Sequence, residues 1–175
     1  MISFIVADGC LTVSAASKSR IQSTDFNNFI YEDCKAYGGQ AIALRNGAYT
    51  YKGRIAESRT KLLAVKYIDL NADGRDEAVI DIRTWPGGSI PYIDDYYVFQ
   101  YLKGVLGLVF HTSRETPRRM DVRGREIVIV APFWEDGSGP FCCPPFIETI
   151  VYRWRGSTLI VVGRRLRKKH YPGMQ

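Results

Sequence analysis

From residue 41 to residue 165 the chain reads as short β-prone hydrophobic runs separated by turn and loop sequences, several of only one or two residues. Runs 41–45 and 48–52 flank Asn46-Gly47, and 61–70 and 77–84 flank an acidic stretch. Runs 93–103 and 105–113 flank Gly104, 118–122 and 125–131 flank Arg123-Gly124, and 146–155 and 157–165 flank Gly156. Asn-Gly supplies the positive φ angles that a two-residue hairpin turn requires, so it is the strongest hairpin signal of the set. Short strands at this spacing predict a mainly β fold: an antiparallel sandwich, a barrel or a highly twisted sheet, with at most one or two short helices. Helical spacing occurs only at Arg54, Glu57 and Lys61, which allows a short helix over 55–66. Residues 21–40 mix Phe26, Phe29 and Tyr31 with turn formers, and Thr24 or Asp25 is placed to cap a helix. Asn27-Asn28 lower helix propensity, so this segment predicts an ordered loop anchored by its aromatics and ended by Gly38-Gly39. Residues 132–145 form a Gly/Pro-rich loop holding Cys142 and Cys143.

Length and composition narrow the class. The 175 residues fit one domain with a real core, and 11 Tyr with 8 Phe lean toward β structure. The formal charge is +6, but Arg164, Arg165, Arg167, Lys168 and Lys169 supply most of it, leaving the body nearly neutral. That balance argues against a nucleic-acid-binding body. The expected organisation is therefore a single β-rich domain over 21–163 and a basic C-terminal tail over 164–175, the tail being a solvated end or an anion-binding module. No apolar run approaches the roughly 18 residues that span a bilayer. Residues 1–20 read either as a flexible N-terminus or first strand, or as the remnant of a signal peptide. The apolar start and the small residues 13–17 favour the signal, while Asp8 and the lack of a basic residue before Lys18 oppose it. Export would make the protein secreted or periplasmic and its cysteines disulfide-competent.

The acidic stretch carries the most specific chemistry. Asp69, Asn71 and Asp73 set side-chain oxygens at alternate positions, Gly74 follows where a sharp turn is needed, Arg75 offers a backbone carbonyl, and Glu77 closes the set. An all-oxygen shell on a short loop is what Ca2+ requires. The spacing D-x-[DN]-x-D-G-x-x-[DE] arises by chance in a chain this long on the order of once in a few thousand. An EF-hand is excluded by Ile80 at the twelfth position and by strand-like flanks. A bare Asx-Gly turn is the metal-free alternative, set against the cost of crowding three carboxylates without a cation.

These residues resemble the calcium loop of FG-GAP and VCBS-type repeat proteins, which occur in integrin-like propellers and many exported bacterial proteins. The resemblance implies a structural Ca2+ held by Asp69, Asn71, Asp73, the Arg75 carbonyl and Glu77. Those proteins carry several copies of the loop, and this chain carries one, so a propeller is not implied. Asp25-Phe26-Asn27-Asn28-Phe29-Ile30-Tyr31, Tyr96-Tyr97-Val98-Phe99, Cys142-Cys143-Pro144 and Tyr152-Arg153-Trp154 are similar to a group of exported bacterial proteins with one such loop, to which no activity is attached.

Other candidates carry less. Cys10, Cys34, Cys142 and Cys143 show no zinc spacing. A bridge from Cys34 to Cys142 or Cys143 would close more than 100 residues and stabilise by about 4 kcal/mol in the chain-entropy model; free buried thiols and a vicinal bridge are the alternatives. His111 and His170 have no adjacent Ser or Cys motif to activate. Asp94, Asp95, Glu135 and Asp136 are candidate carboxylates for a hydrolase acting on glycans, although adjacent strand positions such as 94 and 95 face opposite ways. The reading that leads is a non-catalytic, calcium-stabilised β domain of the bacterial envelope or medium with a protein or glycan partner, used in protein interaction or adhesion.

Overall fold

The computed structural model describes residues 20–53, 56–88, 91–134 and 144–169. Its described elements are β-strands and single 3-10 turns, without an α-helix. The strands are β1 (Ile30–Cys34), β2 (Gln40–Ala43), β3 (Ala48–Lys52), β4 (Glu57–Ile68), β5 (Glu77–Trp85), β6 (Ile93–Leu102), β7 (Val105–Glu115), β8 (Arg119–Arg123), β9 (Glu126–Phe133), β10 (Phe146–Arg155) and β11 (Thr158–Lys168). They pair antiparallel throughout, as a five-stranded meander β3-β4-β5-β6-β7, a four-stranded meander β8-β9-β10-β11 and a two-stranded β1-β2 unit. One sheet curls strongly into a half-barrel. Register shifts in β4–β5, β6–β7 and β10–β11 insert extra residues that bend and twist the strands.

The five-stranded sheet is the middle layer. One of its faces packs Ala78, Ile80, Ile82, Tyr97 and Phe99 beneath a cap made by β1-β2 and the N-terminal 3-10 turns, with Phe26, Tyr31 and Ile42 opposite. The other face packs Val79, Tyr96 and Val98 against Ile127, Ile129, Ile150 and Tyr152 of the four-stranded sheet. Strands β5 and β6 are thus covered on both sides. Their apolar stretches Ala78-Val79-Ile80 and Tyr96-Tyr97-Val98-Phe99 run unbroken instead of alternating, as doubly covered strands require.

Three expectations are corrected. Residues 57–66 are strand rather than helix; pairing with both β3 and β5 outweighs the weak helical spacing. The Asn46-Gly47 turn forms with φ of 51° and 75°, and Arg45 bridges Ala48, but the flanking runs do not continue as a hairpin. β2 pairs with β1 and β3 with β4, because Ile42 and Leu44 are drawn into the cap core. The basic segment expected as a tail from residue 164 is strand as far as Lys168, since its backbone pairs with residues 146–150 of β10. Among the described residues no helix is long and apolar enough to cross a membrane.

The remaining turns follow the sequence closely. Lys103-Gly104 closes β6–β7 with φ of 49° and 85°, and Asp25 caps a single 3-10 turn through the Asn27 N–H. The N-terminal segment 1–19, and with it the signal-peptide reading, lies outside the described residues.

Candidate functional site

The acidic loop connects β4 to β5, so its two ends are fixed by the Ile68–Glu77 strand pair. Side-chain oxygens fold the loop onto itself. Asp69 accepts backbone N–H bonds from Ala72 at 2.7 Å, Asp73 at 3.1 Å and Gly74 at 3.1 Å. Asn71 Oδ1 accepts from the Asp73 N–H at 2.8 Å, and Asp73 Oδ1 from the Arg75 N–H at 2.8 Å. Ala72 and Gly74 take positive φ, 69° and 82°; the second is the conformation for which glycine is suited.

The loop is tied to the body at three points. Leu70 is buried in the inter-sheet core, Gln22 Nε2 donates to Asp76 Oδ2 at 2.8 Å, and Asn71 Nδ2 reaches Gln100 Oε1 at 3.5 Å. Glu77 is only 1% exposed, its Oε2 accepting from the Leu70 N–H at 2.7 Å. Burial, and after it the nearby Asp73 and Asp69 carboxylates, push the Glu77 carboxyl up from 4.5 to about 7. Asp73 Oδ2 and Glu77 Oε1 converge on one atom, the Asn71 amide nitrogen, at 3.2 and 3.0 Å. Asp69 does not join them, because both its oxygens serve backbone donors. Among the described residues no three acid, His or Cys side chains share a point suited to a metal.

The donor set nonetheless fits a hard cation chemically. It is all oxygen, it lies on a loop whose backbone is already turned, and its buried carboxylate has an amide dipole rather than a cationic side chain beside it. The residues that would hold Ca2+ are Asp69, Asn71, Asp73, Glu77 and the Arg75 carbonyl, and the ion would supply the positive charge that the three carboxylates lack.

Asp94 and Asp95 face opposite sides of β6, as strand alternation demands. Asp94 lies on the inter-sheet side in a two-pronged pair with Arg83, 2.6 Å from Nε and 2.7 Å from Nη2. On the same face Asp81 sits two residues from Arg83, its Oδ1 buried without a hydrogen-bond partner among the described residues. Burial, reinforced by Asp94, pushes its carboxyl up from 3.8 to about 7. Asp95 lies on the cap side and is fully buried. It accepts from the Cys34 thiol at 3.4 Å, the Lys35 N–H at 3.3 Å and the Ser113 hydroxyl, and His111 Nε2 lies 3.0 Å away. Two carboxylates on opposite faces cannot flank one glycosidic bond. Of the hydrolase set only Glu135 and Asp136 remain, outside the described residues.

The Asp95 cluster was not legible in the sequence, where His111 has no Ser or Cys motif beside it. No sequence signal could have found it: the register set by the Lys103-Gly104 turn would put Asp95 opposite Thr112, and the shift between Val98 and Phe99 is what brings Asp95 opposite Ser113 and Tyr97 opposite His111. The residues are those of a catalytic triad, but the geometry is not. Asp95 and Ser113 both meet the same ring nitrogen, at 3.0 and 3.4 Å. With its hydrogen directed at Asp95, Nε2 has no lone pair to accept a serine proton. The imidazole stacks on Tyr97, centroids 4.4 Å apart and planes 12° from parallel, which holds it in place.

Cys34 is a buried free thiol. Burial, and secondarily Asp95, push it up to about 12, so it is neither a thiolate nucleophile nor a ready redox group. Its proposed partners Cys142 and Cys143 lie outside the described residues.

No family model matches the chain, and no curated protein or solved structure matches it.

Proposed function

We propose that the protein is a non-catalytic, calcium-stabilised β domain of the bacterial envelope or medium, acting through protein interaction or adhesion. The observation that carries this reading is the loop between β4 and β5, where the buried Glu77 carboxylate and Asp73 converge on an amide dipole with no ion pair among the described residues. The likeness of residues 69–77 to FG-GAP and VCBS-type loops supports the same ligand set. A cation here would clamp the end of β4 to the start of β5, the latter buried in the middle layer, so binding is coupled to the stability of the whole body. The non-catalytic part draws support from the buried clusters: Asp94 is paired with Arg83, the Asp95 oxygens are taken up by four contacts, and the Cys34 thiol is buried.

Isothermal titration of chelator-stripped protein with CaCl2 tests the reading. One ion is expected per chain, with binding abolished in Asp73→Ala and Glu77→Gln. Wild-type protein that takes up no calcium, and melts identically with and without chelator, refutes it.

A further inference from the structure

The outer face of the four-stranded sheet presents arginines in excess of acids. Ile127, Ile129, Ile150, Tyr152 and Leu159 point into the inter-sheet core, so the alternate positions face outward. Those positions include Arg119 and Arg123 on β8, Arg153 and Arg155 on β10, and Arg165 and Arg167 on β11, against Asp121 and Glu126. Both acids are already paired: Asp121 with Arg123 at 3.1 Å and with the groove residue Arg119 at 3.4 Å, and Glu126 with Arg153. Arg165 and Arg167 have no ion pair among the described residues.

The far end of this face is a shaped groove. Register places Arg119, Val130, Thr149 and Arg165 in one row across all four strands, with Ile147 and Arg167 in the next. Together they line a groove of about 290 Å³. Strand spacing puts the backbones of Arg119 and Arg165 about 14 Å apart, and those of Arg165 and Arg167 about 7 Å apart. Long side chains from both walls therefore reach over a floor of Val130, Ile147 and the Thr149 hydroxyl. Thr149 makes no side-chain hydrogen bond within the described residues, leaving a donor at the bottom of a cationic groove.

We propose that this groove binds an anionic polysaccharide, seating one sulfate or carboxylate group at a time between Arg119, Arg165 and Arg167. Planar guanidinium forks match such oxyanions through paired hydrogen bonds. The apolar floor with a single hydroxyl suits the face of a sugar ring. Single-stranded nucleic acid is disfavoured, because none of the outward positions named here carries an aromatic ring for base stacking. A base-paired duplex is too wide to enter a groove of this volume. The surface belongs to the four-stranded sheet, away from the β4–β5 loop, and does not depend on calcium there.

A heparin oligosaccharide serves as the probe, with binding followed by titration at 50 and 150 mM NaCl. Wild-type protein is expected to bind with an affinity that falls as salt rises. The Arg165→Ala/Arg167→Ala variant should weaken binding about tenfold or more, while Lys52→Ala/Lys61→Ala, which removes the same charge from the five-stranded sheet, should change it by no more than about twofold. Arg165→Lys/Arg167→Lys guards against a folding defect and should retain charge-driven binding while losing part of the affinity. Three results overturn the proposal: no binding at 50 mM NaCl, equal loss in both double-alanine variants, or tighter binding of a duplex DNA of matched charge, which would assign the surface to nucleic acid instead.

Discussion

Asp95→Ala separates a structural hub from a catalytic residue. The wild-type carboxylate is fully buried and collects the Cys34 thiol, the Lys35 N–H, His111 and Ser113. Two of these contacts, the Cys34 thiol at 3.4 Å and the Lys35 N–H at 3.3 Å, reach Asp95 from the cap and are left out of the sum. The other two are hydrogen bonds to a charged acceptor, worth roughly 1.5–3 kcal/mol each, and truncation leaves their donors buried without an acceptor. The expected loss is about 3–5 kcal/mol, the range found when one member of a buried charged pair is removed. For a chain of this size that corresponds to a fall in Tm of roughly 6–20 °C. Urea unfolding followed by tryptophan fluorescence measures it, with Ser113→Ala as a smaller step on the same cluster. Because the Cys34 and Lys35 contacts hold the cap to the central sheet, the variant should also expose Cys34 to thiol reagents. A melting curve within 1 °C of wild type, by order of magnitude below what these contacts require, would show that the cluster does not hold the cap.

Three further outcomes follow from the same structure. With free calcium at about 100 times Kd, linkage contributes about 2.7 kcal/mol, so chelation should lower Tm by roughly 5–11 °C and Asp73→Ala should remove the difference; scanning calorimetry decides. Native Cys34 should resist iodoacetamide at pH 8 and react once urea unfolds the chain, because the thiol is buried and held at about 12; rapid native labelling, read by mass spectrometry, would contradict this. Asp81 has its folded carboxyl raised from 3.8 to about 7, so its contribution is most favourable below pH 4 and is lost as pH rises through 7. Asp81→Asn should therefore be more stable than wild type at pH 8, the gap closing toward pH 4, and a variant less stable at pH 8 would reverse that sign.

The strands were legible because their signals are local. Lys103-Gly104 and the breaks at Gly124 and Gly156 each fix a turn within a few residues, and the runs between them have the length and composition of strands. The acidic loop was legible for the same reason, since Asp69, Asn71, Asp73 and Gly74 act mainly on backbone groups within five residues. Partner choice was not local. Asn46-Gly47 makes its turn, but Ile42 gains more by entering the cap core than by extending a hairpin with β3.

The sequence by itself therefore determined the β character, the turns and the oxygen-rich loop, all set by chain neighbours. Tertiary structure alone decided that the basic end continues as an edge strand, that Asp94 and Asp95 serve opposite layers, and that Cys34, His111 and Ser113 meet at one carboxylate. Those contacts join residues 16 to 61 positions apart. The force that brings them together is burial of apolar surface across three layers, which depends on the folded arrangement and leaves no short-range pattern in the chain.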